Sequence, residues 1–219
     1  FQVLTKRPQR MAAWMRDFEE RHGPFAQGWP PPNVWLGTSV ENQRYADLRV
    51  PHLLATPAEV RFLLVEPLLG PVDLARFLIA NEDGNAELFR GVLADPPSNP
   101  RIEWVICGGE SRPGARPTHP NWVRSIRNQC VAAGVPFFFK QWGEWRPLDL
   151  DQSDEWKRHG CYVERDGTVV EWPGPWNIGW HGYPMVRIGK KAAGRELDGR
   201  EWNEYPIPRH EVEAIERSL

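Results

Sequence analysis

Five short, almost uniformly apolar runs, each separated from the next by a polar or amphipathic stretch, constrain the fold of this chain more than any other feature. They are Phe1 to Leu4, Val34 to Gly37, Val60 to Val65, Trp104 to Cys107 and Val135 to Phe139. None alternates as a half-exposed strand does, so each is expected to be a parallel strand covered on both faces. Helical spacing links them. Met11, Trp14, Met15 and Phe18 recur at that spacing after Pro8 and stop at Gly23-Pro24. Trp122, Val123, Ile126, Cys130 and Ala133 do the same, opened by Thr118-His119-Pro120 and closed by Gly134. Glu41 to Leu48 and Leu74 to Ala80 are weaker helical stretches. Strand starts about 25 to 45 residues apart match repeated βα units. The expected fold is therefore α/β, either a (β/α) barrel or an open parallel sheet. A complete TIM barrel needs about 250 residues, so five strands within residues 1–145 favour a partial TIM-like barrel lacking its first units.

After Trp145 the grammar changes. The chain holds 12 Trp and 22 Pro, and Trp becomes dense beyond position 140. Tyr162 to Trp172 reads as two alternating runs about Asp166-Gly167, a hairpin signal. Residues 146–219 are thus expected to form a Trp/Pro-rich appendage of loops and hairpins, stitched to the barrel by Trp side chains. Arg209 to Leu219 suggests a short polar helix, and Asn81 to Pro100 a surface insertion. The chain opens with Phe1 inside an apolar run, with neither an initiator Met nor a signal-peptide core, which suggests a fragment. An incomplete barrel would expose apolar strand surface and favour self-association.

Twenty-seven Lys and Arg against 29 Asp and Glu leave a net charge of −2, which gives no overall attraction to nucleic acid or acidic lipid. No run approaches the eighteen or more apolar residues of a membrane span, so no membrane partner is expected. Cys107, Cys130 and Cys161 are too few and too scattered for a disulfide framework or a metal-ligand pair, which suits a reducing, cytoplasmic setting.

In parallel α/β architectures ligands bind at the carboxyl ends of the strands. All five ends here are polar. They carry Lys6 and Arg7, then Ser39, Glu41 and Asn42, then Glu66, then Gly108, Gly109, Glu110 and Arg112, and finally Lys140, Gln141 and Trp142. Polar rims are common, and such charges often only pair with one another. Three carboxylates and several cations on one mouth are nevertheless costly to bury without a ligand. Gly108-Gly109 adds backbone that a ligand can approach closely. A small anionic or zwitterionic ligand is the inference, with Lys6, Arg7, Arg112, Gln141 and Trp142 as its contacts. Lys140 with Glu66 or Glu110 also has the residue types of a lyase or hydrolase acid and base.

Other motifs carry less. Gly189-Lys190-Lys191 lacks the GxxxxGK[ST] spacing of a phosphate loop and is read as a hairpin. His52, His119 and His159 have no partner at ligand spacing and suit surface or capping roles. The Trp-rich tail offers platforms on which single-stranded nucleic acid could stack, a binding-module alternative.

The segments FQVLTKRP, VWLGTSVENQ, FLLVEPLLGPVDL, WVICGGESRPGARP, FFFKQWGEW and GKKAAGRELDGREWNEYP, in this order, resemble those of a phage and bacterial family of unknown function. Its full-length members are similar to radical S-adenosylmethionine (SAM) proteins and begin with a three-cysteine motif. The resemblance implies a [4Fe–4S] cluster held by thiolates and SAM as cofactors, and an enzyme as parent. The three-cysteine segment is absent from this chain, and Cys107, Cys130 and Cys161 do not replace it. By position, the resemblance implies SAM contacts from Ser39, Glu41 and Asn42. It implies amino-group binding by Gly108, Gly109 and Glu110, although this GGE follows a later strand than is usual. Glu66, Arg112 and Lys140 are left for substrate or carboxylate contacts.

Overall fold

A computed structural model describes residues 1–23, 30–79, 100–148, 160–171, 182–208 and 211. Five strands alternate with helices: β1 (Gln2–Thr5), α1 (Pro8–His22), β2 (Trp35–Ser39), α2 (Gln43–Leu54), β3 (Val60–Val65), α3 (Ala75–Leu78), β4 (Trp104–Gly108), α4 (Pro120–Ala133) and β5 (Phe137–Gln141). The strands pair in parallel in the order β1-β2-β3-β4-β5. Sequential order with crossovers of one hand places the connecting helices on one face of a sheet. The main core follows from that. Leu36, Leu63, Val65, Val105, Cys107, Phe137 and Phe139 pack with Met15, Val50, Leu53, Phe77, Trp122 and Ile126 from the helices.

The alternate side chains build a second, smaller cluster of Phe62, Trp104 and Ile106 on the opposite face, joined by Trp35, Leu64 and Phe138. Gly37 belongs to this face for a steric reason: a Cβ there would come within 2.4 Å of the Phe62 ring. Residues 202–205 cover part of it. Phe139 N donates to Trp202 O (2.9 Å), Trp104 Nε1 donates to Glu204 O (2.9 Å), and Tyr205 stacks against Trp104 and Phe138. Those residues also occupy the free edge of β5, through an antiparallel bridge between Phe138 and Asn203.

The sheet is open among the described residues, since β1 and β5 do not pair with each other. The expectation that every strand is covered on both faces fails at β1, where Phe1, Val3 and Leu4 are exposed. An edge strand has one neighbour, so its apolar character cannot by itself guarantee burial.

The remainder is antiparallel, as expected for residues beyond 145. Strands β6 (Trp145–Pro147), β7 (Gly160–Val163), β8 (Val169–Glu171) and β9 (Tyr183–Arg187) form a sheet in the order β6-β9-β7-β8. The β7-β8 hairpin turns at Asp166-Gly167, where Asp166 Oδ1 accepts from Thr168 N. A one-turn helix α5 (Lys190–Ala193) and the hairpin β10 (Glu196–Leu197) with β11 (Arg200–Glu201) follow. Gly189-Lys190-Lys191 is therefore not a hairpin: Gly189, at φ 84°, leads into a helical turn. Indole N–H groups do the stitching. Trp122 donates to Arg165 O, Trp142 to Glu196 O and Trp145 to Ala115 O, while Cys161, Val163, Met185 and Leu197 enter the main core.

Helix α2 runs from Gln43 to Leu54, past the expected end at Leu48 and through Pro51. Pro51 removes one helical hydrogen bond, and the burial of Val50, Leu53 and Leu54 offsets it. Helix α3 is shorter than the stretch Leu74 to Ala80 suggested. The proposed insertion lies almost wholly outside the described residues, as does the closing helix.

Substituting Gly37→Ala should lower the stability of the chain by about 1–3 kcal/mol through overpacking against Phe62. Urea titration of the single variants and the pair checks it. The Gly37→Ala/Phe62→Leu double variant should lose less than the sum of the two single losses.

Candidate functional site

The parallel order brings all five strand ends to one side of the sheet, where a cleft of about 490 Å³ opens. Lys6 reaches it from β1, Glu41 from the β2-α2 turn, Glu66 and Pro67 from the end of β3, and Gly109 to Arg112 with Arg116 from the loop after β4. The volume is that of a small-molecule site. A second cleft of about 600 Å³ lies between α4, β6 and residues 192–201, where Arg124, Arg146 and Arg195 face Glu196, Asp198 and Glu201. Its charges balance, and Asp198 already accepts from Arg124 and Arg127. The first cleft, at the strand ends, is the candidate site.

Each carboxylate there has a cation. Glu41 is buried and takes two, Lys6 at 2.6 Å and Arg49 at 2.7 Å; Arg49, on α2, also donates to Ser39 O. Burial pushes the Glu41 carboxyl up, but hydrogen bonds and positive charge from Lys6 and Arg49 outweigh it and hold the group below its usual value. Glu66 accepts from Lys140 Nζ at 2.8 Å and from Gln141 Nε2 at 2.9 Å. Glu110 is clamped by Arg116 through Nε (3.0 Å), Nη2 (3.2 Å) and backbone N (3.0 Å). The Arg116 hydrogen bond is the main reason its carboxyl lies below the ordinary range. Arg112 is exposed at the rim; its side chain makes no hydrogen bond or ion pair among the described residues, although its charge helps to lower the Glu110 carboxyl and its carbonyl accepts from Ala115 N.

Gln141 is buried beneath this array. Its Nε2 bridges Glu66 and Gly109 O, and its Oε1 has no partner among the described residues. A bulge between Cys107 and Gly108 shifts the register so that Gly108 faces Gln141. The two glycines have a packing role as well, and Gly109 also lines the cleft. A Cβ on Gly109 would lie 1.9 Å from Trp142 O, and one on Gly108 would lie 3.3 Å from Glu66 Oε1. Gly108 therefore leaves room for the Glu66 carboxylate. Gly109 lets the loops after β4 and β5 touch backbone to backbone.

Of the residues expected at the mouth, Lys6, Glu41, Glu66, Gly109, Glu110 and Arg112 line the cleft, and Lys140 and Gln141 hold Glu66 from behind. Three take other roles. Asn42 caps α2, its side chain accepting from Tyr45 N, and Arg7 sits exposed at the start of α1 outside the cleft lining. Trp142 is buried against Phe139, with its indole spent on Glu196 O, and it borders the second cleft. Ser39 is buried at the end of β2, where its carbonyl accepts from Arg49. Sequence reasoning missed Arg49 and Arg116. Both are arginines six to eight residues beyond a rim glutamate, the available signal. His119 caps α4 as expected, Nδ1 accepting from Asn121 N.

The cysteines do not suit a cluster. Cys107 lies in β4, Cys130 in α4 and Cys161 in β7, all buried and unbonded. Burial pushes all three thiols up, those of Cys130 and Cys161 to about 12, whereas ligation needs thiolate. No group of three or more His, Cys, Asp and Glu among the described residues could hold a metal ion. No helix among them is long and apolar enough to cross a membrane.

Fold and site together define an α/β protein with a charged cleft at the carboxyl ends of a parallel sheet. The chain belongs to the family described as "Protein of unknown function (DUF5131)", which matches residues 1–206. No curated protein and no solved structure matches it. Membership of that family shows neither radical SAM chemistry nor a phage association.

Two outcomes follow. Glu41→Gln leaves Arg49 buried without its counter-charge and should cost about 3–5 kcal/mol at neutral pH. Because the Glu41 carboxyl is depressed in the folded state, its contribution is complete above the unfolded value near 4.5 and is lost as pH falls through the folded one. The gap between wild type and variant in denaturant titrations should therefore narrow on acidification. Separately, the chain incubated with iron and sulfide and then desalted should retain no cluster absorbance.

Proposed function

We propose that the cleft binds a zwitterionic ligand of the SAM type, and that the chain is the carboxy-terminal part of a partial (β/α) barrel from a radical-SAM-like protein. One observation carries the reading: three carboxylates fixed by cations, together with Arg112, whose side chain makes no hydrogen bond or ion pair among the described residues, surround a single cleft at the carboxyl ends of sequentially ordered parallel strands. An amino-acid end presents one ammonium and one carboxylate. Glu66 or Glu110 would receive the first and Arg112 the second. When bound beside a reduced cluster, SAM supplies a carbon radical that abstracts hydrogen. Cys107, Cys130 and Cys161 do not fit that cluster, so its thiolates would come from outside the described residues, and no radical step is assigned to this chain. What its own residues do is bind and orient: Gln141 and Lys140 hold Glu66, and Arg116 holds Glu110.

The alternative of a lyase or hydrolase with Lys140 and Glu66 as acid and base has the pair in contact, Lys140 Nζ donating to Glu66 at 2.8 Å, but Lys140 stands behind Glu66 and does not line the cleft. For nucleic-acid stacking on the Trp-rich tail, Trp156, Trp172, Trp176 and Trp180 lie outside the described residues; of the others, Trp142 is buried and the Trp202 ring carries Arg200 on its face.

Calorimetric titration with SAM tests the proposal. Binding is expected, and Arg112→Ala should weaken it about tenfold, as loss of one charge-assisted hydrogen bond implies. No heat at millimolar SAM, or equal binding by the variant, overturns it.

A further inference from the structure

We infer that the cleft also takes a phosphate monoester, a compact dianion, as the substrate beside the zwitterionic ligand, the several N–H groups of Arg112 serving both the phosphate and the neighbouring carboxylate. The inference rests on the reading of this cleft as the ligand site. It comes from charge. Lys6, Arg112 and Arg116 line the cleft, and Arg49 and Lys140 pair with its lining, against the three carboxylates of Glu41, Glu66 and Glu110. Two positive charges are left over.

Geometry says which two. Glu66 needs Lys140, and Glu110 needs Arg116. Glu41 has two cations, and Arg49 at 2.7 Å neutralises it from inside the fold, on a side chain only 11 % exposed. Lys6, with a side chain 62 % exposed, is thus the surplus partner and can turn to a ligand without leaving Glu41 unpaired. Arg112 is the other surplus cation: its charge is felt by Glu110, but Arg116 holds that carboxylate, and the Arg112 side chain makes no hydrogen bond or ion pair among the described residues. Both are exposed and both border the same cleft.

A ligand of the SAM type does not satisfy this surplus. Its ammonium, sulfonium and carboxylate sum to one positive charge, which adds to the excess. A single carboxylate brings one negative charge, and a nucleic-acid strand brings one per phosphate spread along a track. A phosphate monoester carries nearly two on one group at neutral pH, with three acceptor oxygens that an ammonium and a guanidinium can share.

The test is calorimetric titration of the whole chain at low salt, without SAM. The probes are phenyl phosphate, its singly charged methyl diester, and a short single-stranded oligonucleotide lacking terminal phosphates. Phenyl phosphate should bind, and Lys6→Ala and Arg112→Ala should each weaken it about tenfold. Arg200→Ala, an exposed cation stacked on Trp202 in β11, should leave it unchanged. The diester should bind about tenfold more weakly or worse. Absence of binding, equal loss in Arg200→Ala, or diester or oligonucleotide binding as tight as the monoester overturns the inference. Because SAM is left out, a failure of phosphate binding is separate from a failure of SAM binding.

Discussion

The site depends on two loops that cross in backbone contact. Gly109 follows β4 and packs on the Trp142 carbonyl, while Gly143 follows β5 at φ 84° and packs on the backbone of Glu110. Gly109 N donates to Gln141 O and Glu144 N donates to Glu110 O, each at 2.9 Å, so the crossing is hydrogen-bonded from both sides. Gln141 and Glu110 take their positions from this contact. It places Gln141 under Glu66, and it turns Glu110 towards Arg116. It also sends the chain from β5 directly into β6 instead of into another helix. Neither glycine can gain a side chain without moving backbone, and backbone in contact has nowhere to move.

The strands were legible because burial on both faces removes alternation, and β3 matches its apolar run residue for residue. The same signal misled at β1, whose composition equals that of a central strand although it has one neighbour. Helix α2 was underestimated since the Pro51 penalty is local, while the burial that overrides it is tertiary. At the rim, the three carboxylates were legible, because parallel order forces strand ends together wherever the loops go. Their partners were not. Whether Arg49 or Arg7 reaches Glu41 depends on the path of α1 and α2, and nothing in local spacing encodes that path. Trp142 lies just beyond β5, and its packing on Phe139 and hydrogen bond to Glu196 O, both tertiary, decide where its ring goes.

The rim charges divide into two groups of different physical character. Arg49, Glu41, Glu66 and Gln141 are largely buried and mutually bonded, so removing one leaves another uncompensated. Lys6, Lys140 and Arg112 are exposed heads on long stems, and ion pairs made by such heads contribute little to stability, about 0–1 kcal/mol each. A frame that is costly to disturb thus carries cations that can be redirected at little cost. Electrostatic preorganisation for a ligand requires this combination, because a rim of uniformly buried pairs could not exchange partners and a rim of uniformly exposed ones could not hold a geometry.

The opposite end of the sheet provides a comparison within the same molecule. Arg61 opens β3 on the amino-terminal side, with its own N bonded to Glu103 Oε2 at 2.7 Å, Nε donating to Thr56 O at 3.1 Å, and Nη1 within 3.5 Å of Glu103 Oε1. Both side chains are less than a tenth exposed. That end uses the same residue types, arginine and glutamate, yet closes them on each other and on backbone, as a stabilising site does. At the carboxyl end the pairing is incomplete among the described residues: the Arg112 side chain makes no hydrogen bond or ion pair, Glu41 has one cation more than it needs, and Gln141 Oε1 is buried without a donor. Arginine and glutamate alone therefore do not predict an open site. The difference follows from strand direction, which gives one end short, glycine-crossed loops around a cleft and the other a closed ion pair.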